Sequence, residues 1–259
     1  MGKKRVSITL EEELVERIDR KAEEKEIENR SRAIESFLSD YLRTEKVDTA
    51  VVLCGGTVDP ECMIRINGKP VVEHILTHLD KHGVERAVLT VNKEDKSVKD
   101  YFGDGKGFDL DLEYFVEEQP LGTAGSLREI EGLNDTFLMM NGDVLCRVDI
   151  EDMARKHRES KAVSTIALTT IDDVSPYGVA RMKGDKIVGF TEKPEKGEEV
   201  SKLVNAGVYL MEPEAIKRLP EKREKQKVDV EDVFERLAGQ RLLKGYVYDG
   251  EWHDVGKRG

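Results

Sequence analysis

Apolar and polar residues alternate strictly over residues 4–10, with Val6, Ile8 and Leu10 on one face and Arg5, Ser7 and Thr9 on the other, which predicts a half-buried strand. Glu11, Glu12 and Glu13 suit a helix N-terminus, and Leu14, Val15, Ile18 and Ala22 follow at helical spacing. A second helix is predicted from near Asn29, a good N-cap, with Ile34, Phe37, Leu38, Tyr41 and Leu42 on one stripe. One strand and two short helices cannot bury their apolar faces alone, and a single strand leaves its backbone groups unpaired. The segment is therefore expected to form a homodimer, or a higher homo-oligomer, through an antiparallel ribbon made from two copies of residues 4–10. Such a ribbon fits the major groove of duplex DNA.

After a polar joint at 44–48 the pattern changes. Apolar strands are predicted at 49–54, 86–92, 112–116, 136–140 and 163–168, with helices at 70–82, near 123–130 and at 150–159. Alternation of strand and helix predicts an α/β domain with a mostly parallel, Rossmann-like sheet covered on both faces, and ligands at the carboxyl ends of its strands. Two domains are expected, at 1–45 and 49–259.

Acidic residues (53) outnumber basic ones (42), for a net charge of −11, which excludes a globally basic nucleic-acid or membrane binder. Any DNA contact must be local, and its positive field must come from Lys3, Lys4, Arg5 and Arg30. No apolar run reaches the length of a membrane span, and no stretch of signal-peptide length follows the first basic residues, so no membrane partner and a cytoplasmic location are expected. Cys54, Cys62 and Cys146 form no C-x-x-C pair, so neither a disulfide framework nor a cysteine zinc site is indicated. Charged residues make up 37% of the chain while Gln occurs only at 119, 226 and 240, a balance that leans towards a thermophilic source. His74, His78 and His82 recur every fourth residue, which reads as a helix stripe ahead of a metal site.

Lys4-Arg5-Val6-Ser7-Ile8-Thr9-Leu10 resembles the reading strand of ribbon-helix-helix repressors, and Asn29-Arg30-Ser31-Arg32-Ala33-Ile34 resembles the start of their second helix. The resemblance implies that Arg5, Ser7 and Thr9 read bases of an operator, and that Asn29, Arg30 and Ser31 meet a phosphate at a helix N-terminus. The alternative is a segment used only for dimerisation.

A second resemblance rests on an ordered series in the large domain: Cys54-Gly55-Gly56, Gly68-Lys69-Pro70, 119–125 (QPLGTAG), Asn141-Gly142-Asp143, Tyr177-Gly178-Val179, Glu192-Lys193-Pro194, 205–208 (NAGV) and 252–256 (WHDVG). Together they are similar to the sugar-1-phosphate nucleotidylyltransferases, which join an NTP to a sugar 1-phosphate and release pyrophosphate. The resemblance implies a sheet of the nucleotidyltransferase type and a nucleotide site at Gly55, Gly56, Gln119, Leu121, Gly122, Thr123 and Gly125. It places the sugar phosphate on Tyr177, Gly178, Glu192, Lys193, Asn205 and Gly207, and Mg²⁺ on Asp143 and Asp254. No residue is assigned a covalent catalytic role, because in-line attack on phosphorus needs positioning and charge rather than a protein bond. The last motif ends three residues before Gly259, and the reading expects no C-terminal β-helix of the kind many relatives carry.

One stretch departs from the family. Its members follow the first strand with G-G-x-G-T-R-L-x-P-L-T and then P-K-P, whereas here Gly55-Gly56 leads into a shorter loop in which Glu61 falls where the family lysine stands and the arginine has no counterpart. Arg65 is the available substitute, though it reads more plainly as one face of a short strand. Two functions are carried forward. The first is a transcription regulator whose nucleotidyltransferase-like domain binds a nucleotide or nucleotide sugar, with catalysis weakened or lost. The alternative is an active sugar-1-phosphate nucleotidylyltransferase dimerised through its N-terminal segment. The sequence fixes neither base nor sugar.

Overall fold

The structure, a computed structural model, describes residues 6–25, 27, 29–56, 58–197, 199–220 and 227–256, with the backbone alone over 39–45. It divides into two compact units, Met1–Lys46 and Val47–Gly259. Among the described residues no helix is long and apolar enough to cross a membrane.

The first unit holds α1 (Glu12–Glu24) and α2 (Arg30–Glu45). Asn29 caps α2 as expected, its Oδ1 accepting from the Arg32 amide at 2.8 Å. Ala22 of α1 and Ala33 of α2 are buried. Residues 6–10 form no strand, which differs from the alternation reading. A strand exists only through a ladder to a neighbour, and one copy of this unit offers none. Val6 and Ile8 accordingly stand 71% and 57% exposed. Arg5 lies outside the described residues, as do the side chains of Tyr41 and Leu42.

The second unit is built on β1 (Thr49–Leu53), a short hairpin of β2 (Arg65–Ile66) and β3 (Lys69–Pro70), then α3 (Val71–Lys81), β4 (Arg86–Asn92), α4 (Ser97–Phe102) and β5 (Asp111–Glu117). There follow β6 (Phe137–Asn141), β7 (Val144–Cys146), α5 (Ile150–Ser160), β8 (Ser164–Thr170), β9 (Gly178–Lys183), β10 (Lys186–Glu192), β11 (Leu203–Met211), α6 (Pro213–Lys217), α7 (Val230–Gly239), β12 (Leu243–Val247) and β13 (Trp252–Asp254). The main sheet has the order β5-β4-β1-β6-β11-β8-β12-β10-β9. From β5 to β6 every pairing is parallel, as the alternation predicted. Beyond β6 the sheet is mixed: β11 runs antiparallel to both β6 and β8, while β12 is parallel to β8.

Both faces are covered. Ala50 and Val52 of β1 point into a cluster with Ile75, Leu76 and Leu79 of α3, while Val51 points to the other face with Val233, Phe234 and Leu237 of α7. This is the pattern of a central strand flanked by layers. The helix expected near 123–130 is instead a 3-10 turn over Ser126–Arg128. The amide of Thr123 is spent on the Asp229 carboxylate (3.1 Å) and that of Ala124 on the Val228 carbonyl (2.9 Å), which holds the segment as a strapped turn.

Two of the three histidines of the stripe meet backbone carbonyls, and the ring of His82 packs edge-on against that of His78 at 4.6 Å. His74 Nε2 lies 2.9 Å from the Ile66 carbonyl and His78 Nε2 lies 2.8 Å from that of Val148. Burial pulls the His78 imidazole down from 6.5 to about 4. Between those values the unfolded chain takes a proton that the folded chain refuses, so this residue's contribution to stability is present above pH 6.5 and is lost as pH falls towards 4. His78→Gln keeps a donor for Val148 but does not titrate. Urea unfolding at a series of pH values is expected to show wild type losing stability relative to this variant across that window, by up to about 1.4 kcal/mol per pH unit. Parallel curves would refute the assignment.

Candidate functional site

The carboxyl ends of β1 and β6 converge with the short loop after β1 on a cavity of about 200 Å³. It is lined by Leu53, Cys54, Gly55, Pro60, Glu61, Cys62, Thr123, Asn141 and Asp143. Of the residues expected to hold a nucleotide, Gly55 and Thr123 line it; Gly56, Gln119, Leu121, Gly122 and Gly125 are not among its lining residues. Gly55 packs closely, since a Cβ there would lie 2.7 Å from Glu117 Oε2 and that carboxylate would have to shift. Burial pushes that glutamate up to about 6. The strapped turn is tight for similar reasons: Gly122 has φ +85°, and a Cβ on it would meet the Val228 carbonyl at 2.5 Å. Val230 of α7 completes the strap by donating its amide to Thr123 Oγ1 at 2.9 Å.

Asp143 and Asp254 share one end of the two-stranded ribbon β7–β13, in which Asp254 pairs with Val144 and the Val255 amide reaches the Asp143 carbonyl at 3.0 Å. Asp254 Oδ1 also accepts from the Gly256 amide (3.0 Å). Glu61 joins them. A Cβ placed on Gly256 would lie 2.6 Å from Asp143 Oδ2 and 2.7 Å from Glu61 Oε2, so both carboxylates press on one point. Mg²⁺ takes one or two protein carboxylates and completes its shell with water and phosphate, a demand that Asp143 and Asp254 fit. An all-protein cage does not fit, since no group of three or more His, Cys, Asp or Glu suited to a metal occurs among the described residues.

Among the described residues, no Lys or Arg lines the cavity. Arg65 does not supply one: its Nη1 donates to the Gly68 carbonyl at 2.6 Å and its guanidinium lies over the Tyr101 ring at 5.5 Å. Cys54 and Cys62 are buried free thiols, and hydrogen bonding to Cys62, then burial, pushes the Cys54 thiol well up.

The residues expected to meet the sugar phosphate form a second group. Glu192 pairs with Gly178 across β9–β10, and a Cβ on Gly178 would lie 2.7 Å from Glu192 Oε2. Lys193, at φ 45°, donates its amide to the Tyr177 carbonyl at 3.0 Å and holds Nζ 3.5 Å from Glu192 Oε1. Tyr177 packs edge-on against Trp252 at 5.3 Å, and burial and the neighbouring Asp254 raise its phenol. Asn205 donates to the Tyr209 hydroxyl (2.8 Å) and accepts from the Gly207 amide (3.0 Å), at an irregularity in β11 that bends the strand.

Two residues near these groups carry no assignment from the sequence. Asn141 lines the cavity, and Glu231, in the first turn of α7, is pushed up to about 7 by burial, with Glu192 adding repulsion. An acid at a helix start reads as a dipole partner, so nothing in the sequence sets Glu231 apart. In the first unit Ser7, Thr9, Asn29, Arg30 and Ser31 are exposed. Arg30 is engaged with Asp19, through Nε at 2.7 Å and Nη2 at 2.5 Å.

Residues 57–258 match the nucleotidyl transferase family, and residues 4–45 match the ribbon-helix-helix protein, copG family. A mannose-1-phosphate guanylyltransferase of Mycobacterium tuberculosis is 35% identical over 230 residues, covering 83% of this chain and 62% of that protein. A UTP–glucose-1-phosphate uridylyltransferase of Synechocystis is 34% identical over 215 residues, covering 76% of this chain and 55% of that protein. The chain thus spans little more than half the length of these relatives. A UDP-glucose pyrophosphorylase solved with UDP-glucose shares the fold, with a TM-score of 0.70 at 19% identity over 82% of this chain and 94% of that one. From the ordered loops, the parallel half-sheet and these matches, the chain belongs to the nucleotidyl transferase family and carries a ribbon-helix-helix segment ahead of that domain.

Proposed function

We propose that the chain is a DNA-binding regulator whose nucleotidyltransferase-like domain binds a nucleotide or nucleotide sugar and turns it over slowly or not at all. The observation that carries this reading is Glu61, whose carboxylate stands with that of Asp143 beside Gly256, at the edge of a cavity that no cation among the described residues lines. Displacement at the α-phosphorus drives negative charge onto the leaving pyrophosphate, which only donors and cations already in place stabilise. In this reading Asp143 and Asp254 hold Mg²⁺, which would neutralise part of the phosphate charge. Gly55, Gly56, Gln119 and the 121–125 turn hold the nucleotide. Tyr177, Gly178, Glu192, Lys193, Asn205 and Gly207 hold the sugar phosphate. The N-terminal segment pairs with a second copy and presents Arg5, Ser7, Thr9, Asn29, Arg30 and Ser31 to an operator, in the cytoplasm.

A nucleoside diphosphate sugar makes less demand on the missing cations than a triphosphate and adds the sugar contacts. Calorimetry with Mg²⁺ present is expected to show a nucleotide sugar such as GDP-mannose or UDP-glucose binding more tightly than GTP or UTP. Tighter binding of the triphosphates would contradict the reading. The retained pair of aspartates favours the alternative, an active sugar-1-phosphate nucleotidylyltransferase. Pyrophosphate release at an ordinary enzymatic rate of roughly 1 to 10³ s⁻¹ would establish it.

A further inference from the structure

We infer that Asn141 is a specificity-determining residue of the cavity, whose side-chain oxygen accepts a hydrogen bond from a hydroxyl of the bound ligand. The inference rests on the proposed reading of this cavity as the nucleotide site. Asn141 ends β6 and lines the cavity beside Gly55, Thr123 and Asp143. Its Oδ1 is buried and has no hydrogen-bond partner. A buried acceptor without a donor is costly, and a ligand donor entering from the adjoining cavity would complete this one.

The side chain is held in place from behind. Val208 pairs with Met140, which brings Gly207 against Asn141. Gly207 has φ +71°, and a Cβ there would lie 3.1 Å from Asn141 Nδ2 and 3.2 Å from its Cβ and Cγ. A residue with a side chain at 207 would be strained and would press Asn141 out of position. Asn205 fixes the same turn by accepting the Gly207 amide. Gly207 thereby acts on the ligand through Asn141. The donor that suits a neutral carbonyl oxygen next to a carboxylate is a hydroxyl, which the ribose of a nucleotide and the ring of a sugar phosphate both supply.

A residue kept for packing and one kept for a ligand respond oppositely to removal of the orphan oxygen. In Asn141→Leu the unsatisfied acceptor is gone, so the melting temperature is expected to hold or rise while binding falls about tenfold. Calorimetry would use GTP and UTP, their 2′-deoxy and 3′-deoxy analogues, glucose 1-phosphate and mannose 1-phosphate, with Mg²⁺ present. If the donor is on the ribose, one deoxy analogue binds wild type about tenfold more weakly and Asn141→Leu no longer distinguishes it from the parent. If the donor is on the sugar, the loss appears with the hexose phosphates alone. Asn141→Ala repeats the comparison with a smaller side chain, and the wild-type analogue series needs no variant. The inference is overturned if Asn141→Leu binds every probe as wild type does, or if melting temperature and all affinities fall together. Wild type binding none of these probes would overturn the reading of the cavity as well.

Discussion

Replacing residues 57–59 with the family loop G-x-G-T-R-L-x-P, together with Glu61→Lys, is expected to raise pyrophosphate release by roughly 10³-fold or more, the scale on which a transition-state arginine acts in phosphoryl transfer. The physical ground is charge at one place. Glu61 Oε2 and Asp143 Oδ2 both lie within 2.7 Å of the Cβ position of Gly256, so a phosphate drawn to a cation on Asp143 meets a second carboxylate. Two unit charges 4 Å apart interact by about 4 kcal/mol at an effective dielectric constant of 20, and reversing the sign at position 61 turns repulsion into attraction. Cys62 and Pro60 pack into the cavity wall on either side of Glu61, so the single change Glu61→Lys tests the charge without rebuilding the loop. It is expected to give the smaller part of the gain, since the arginine would still be missing. Asp143→Ala in the grafted protein should return release to background. A graft that folds, binds nucleotide and releases no more pyrophosphate than wild type would show that the lost cations are not what limits turnover.

Much of this was legible in the chain because the relevant physics is local. The strand at 86–92 and the helix at 70–82 declare themselves by period and burial, and the structure returns them as Arg86–Asn92 and Val71–Lys81. The Asn29 cap needs only its own residue and the amide three positions on. What was illegible depends on distant partners. The 121–125 turn takes its shape from Val228, Asp229 and Val230, more than a hundred residues away, and those bonds replace the helix that its composition suggests. The mixed half of the sheet depends on where β11 inserts, between β6 and β8, which no periodicity encodes. At the site, Gly55 and Asp143 came from an ordered set of motifs, but the orphan oxygen of Asn141 is visible only once Gly207 is seen against it. Arg65 was an open question in sequence because reach is three-dimensional; the Gly68 carbonyl and the Tyr101 ring answer it.

Ile8→Arg is expected to abolish both dimerisation and specific DNA binding. Val6 and Ile8 are 71% and 57% exposed in one copy, on a segment whose alternation suits a ribbon face. Pairing two copies would bury them, and burying a charged side chain in their place costs far more than the apolar contact contributes. The second unit has its own two-sided core, so that unit of the variant should remain folded whatever happens to α1 and α2. Light scattering at micromolar concentration should then report a dimer for the wild-type chain and a monomer for the variant. Against a duplex selected from random sequence, anisotropy should show the variant weakened by about 10³-fold or more, to the level of non-specific binding. Arg30→Ala provides the contrast. Its guanidinium is shared with Asp19, so its loss should lower affinity for all sequences by a similar small factor and reduce the salt dependence, leaving the dimer intact. A wild-type chain that is monomeric, or one that is dimeric but enriches no duplex motif, would remove the operator from this protein's function and leave its nucleotidyl transferase domain to account for it alone.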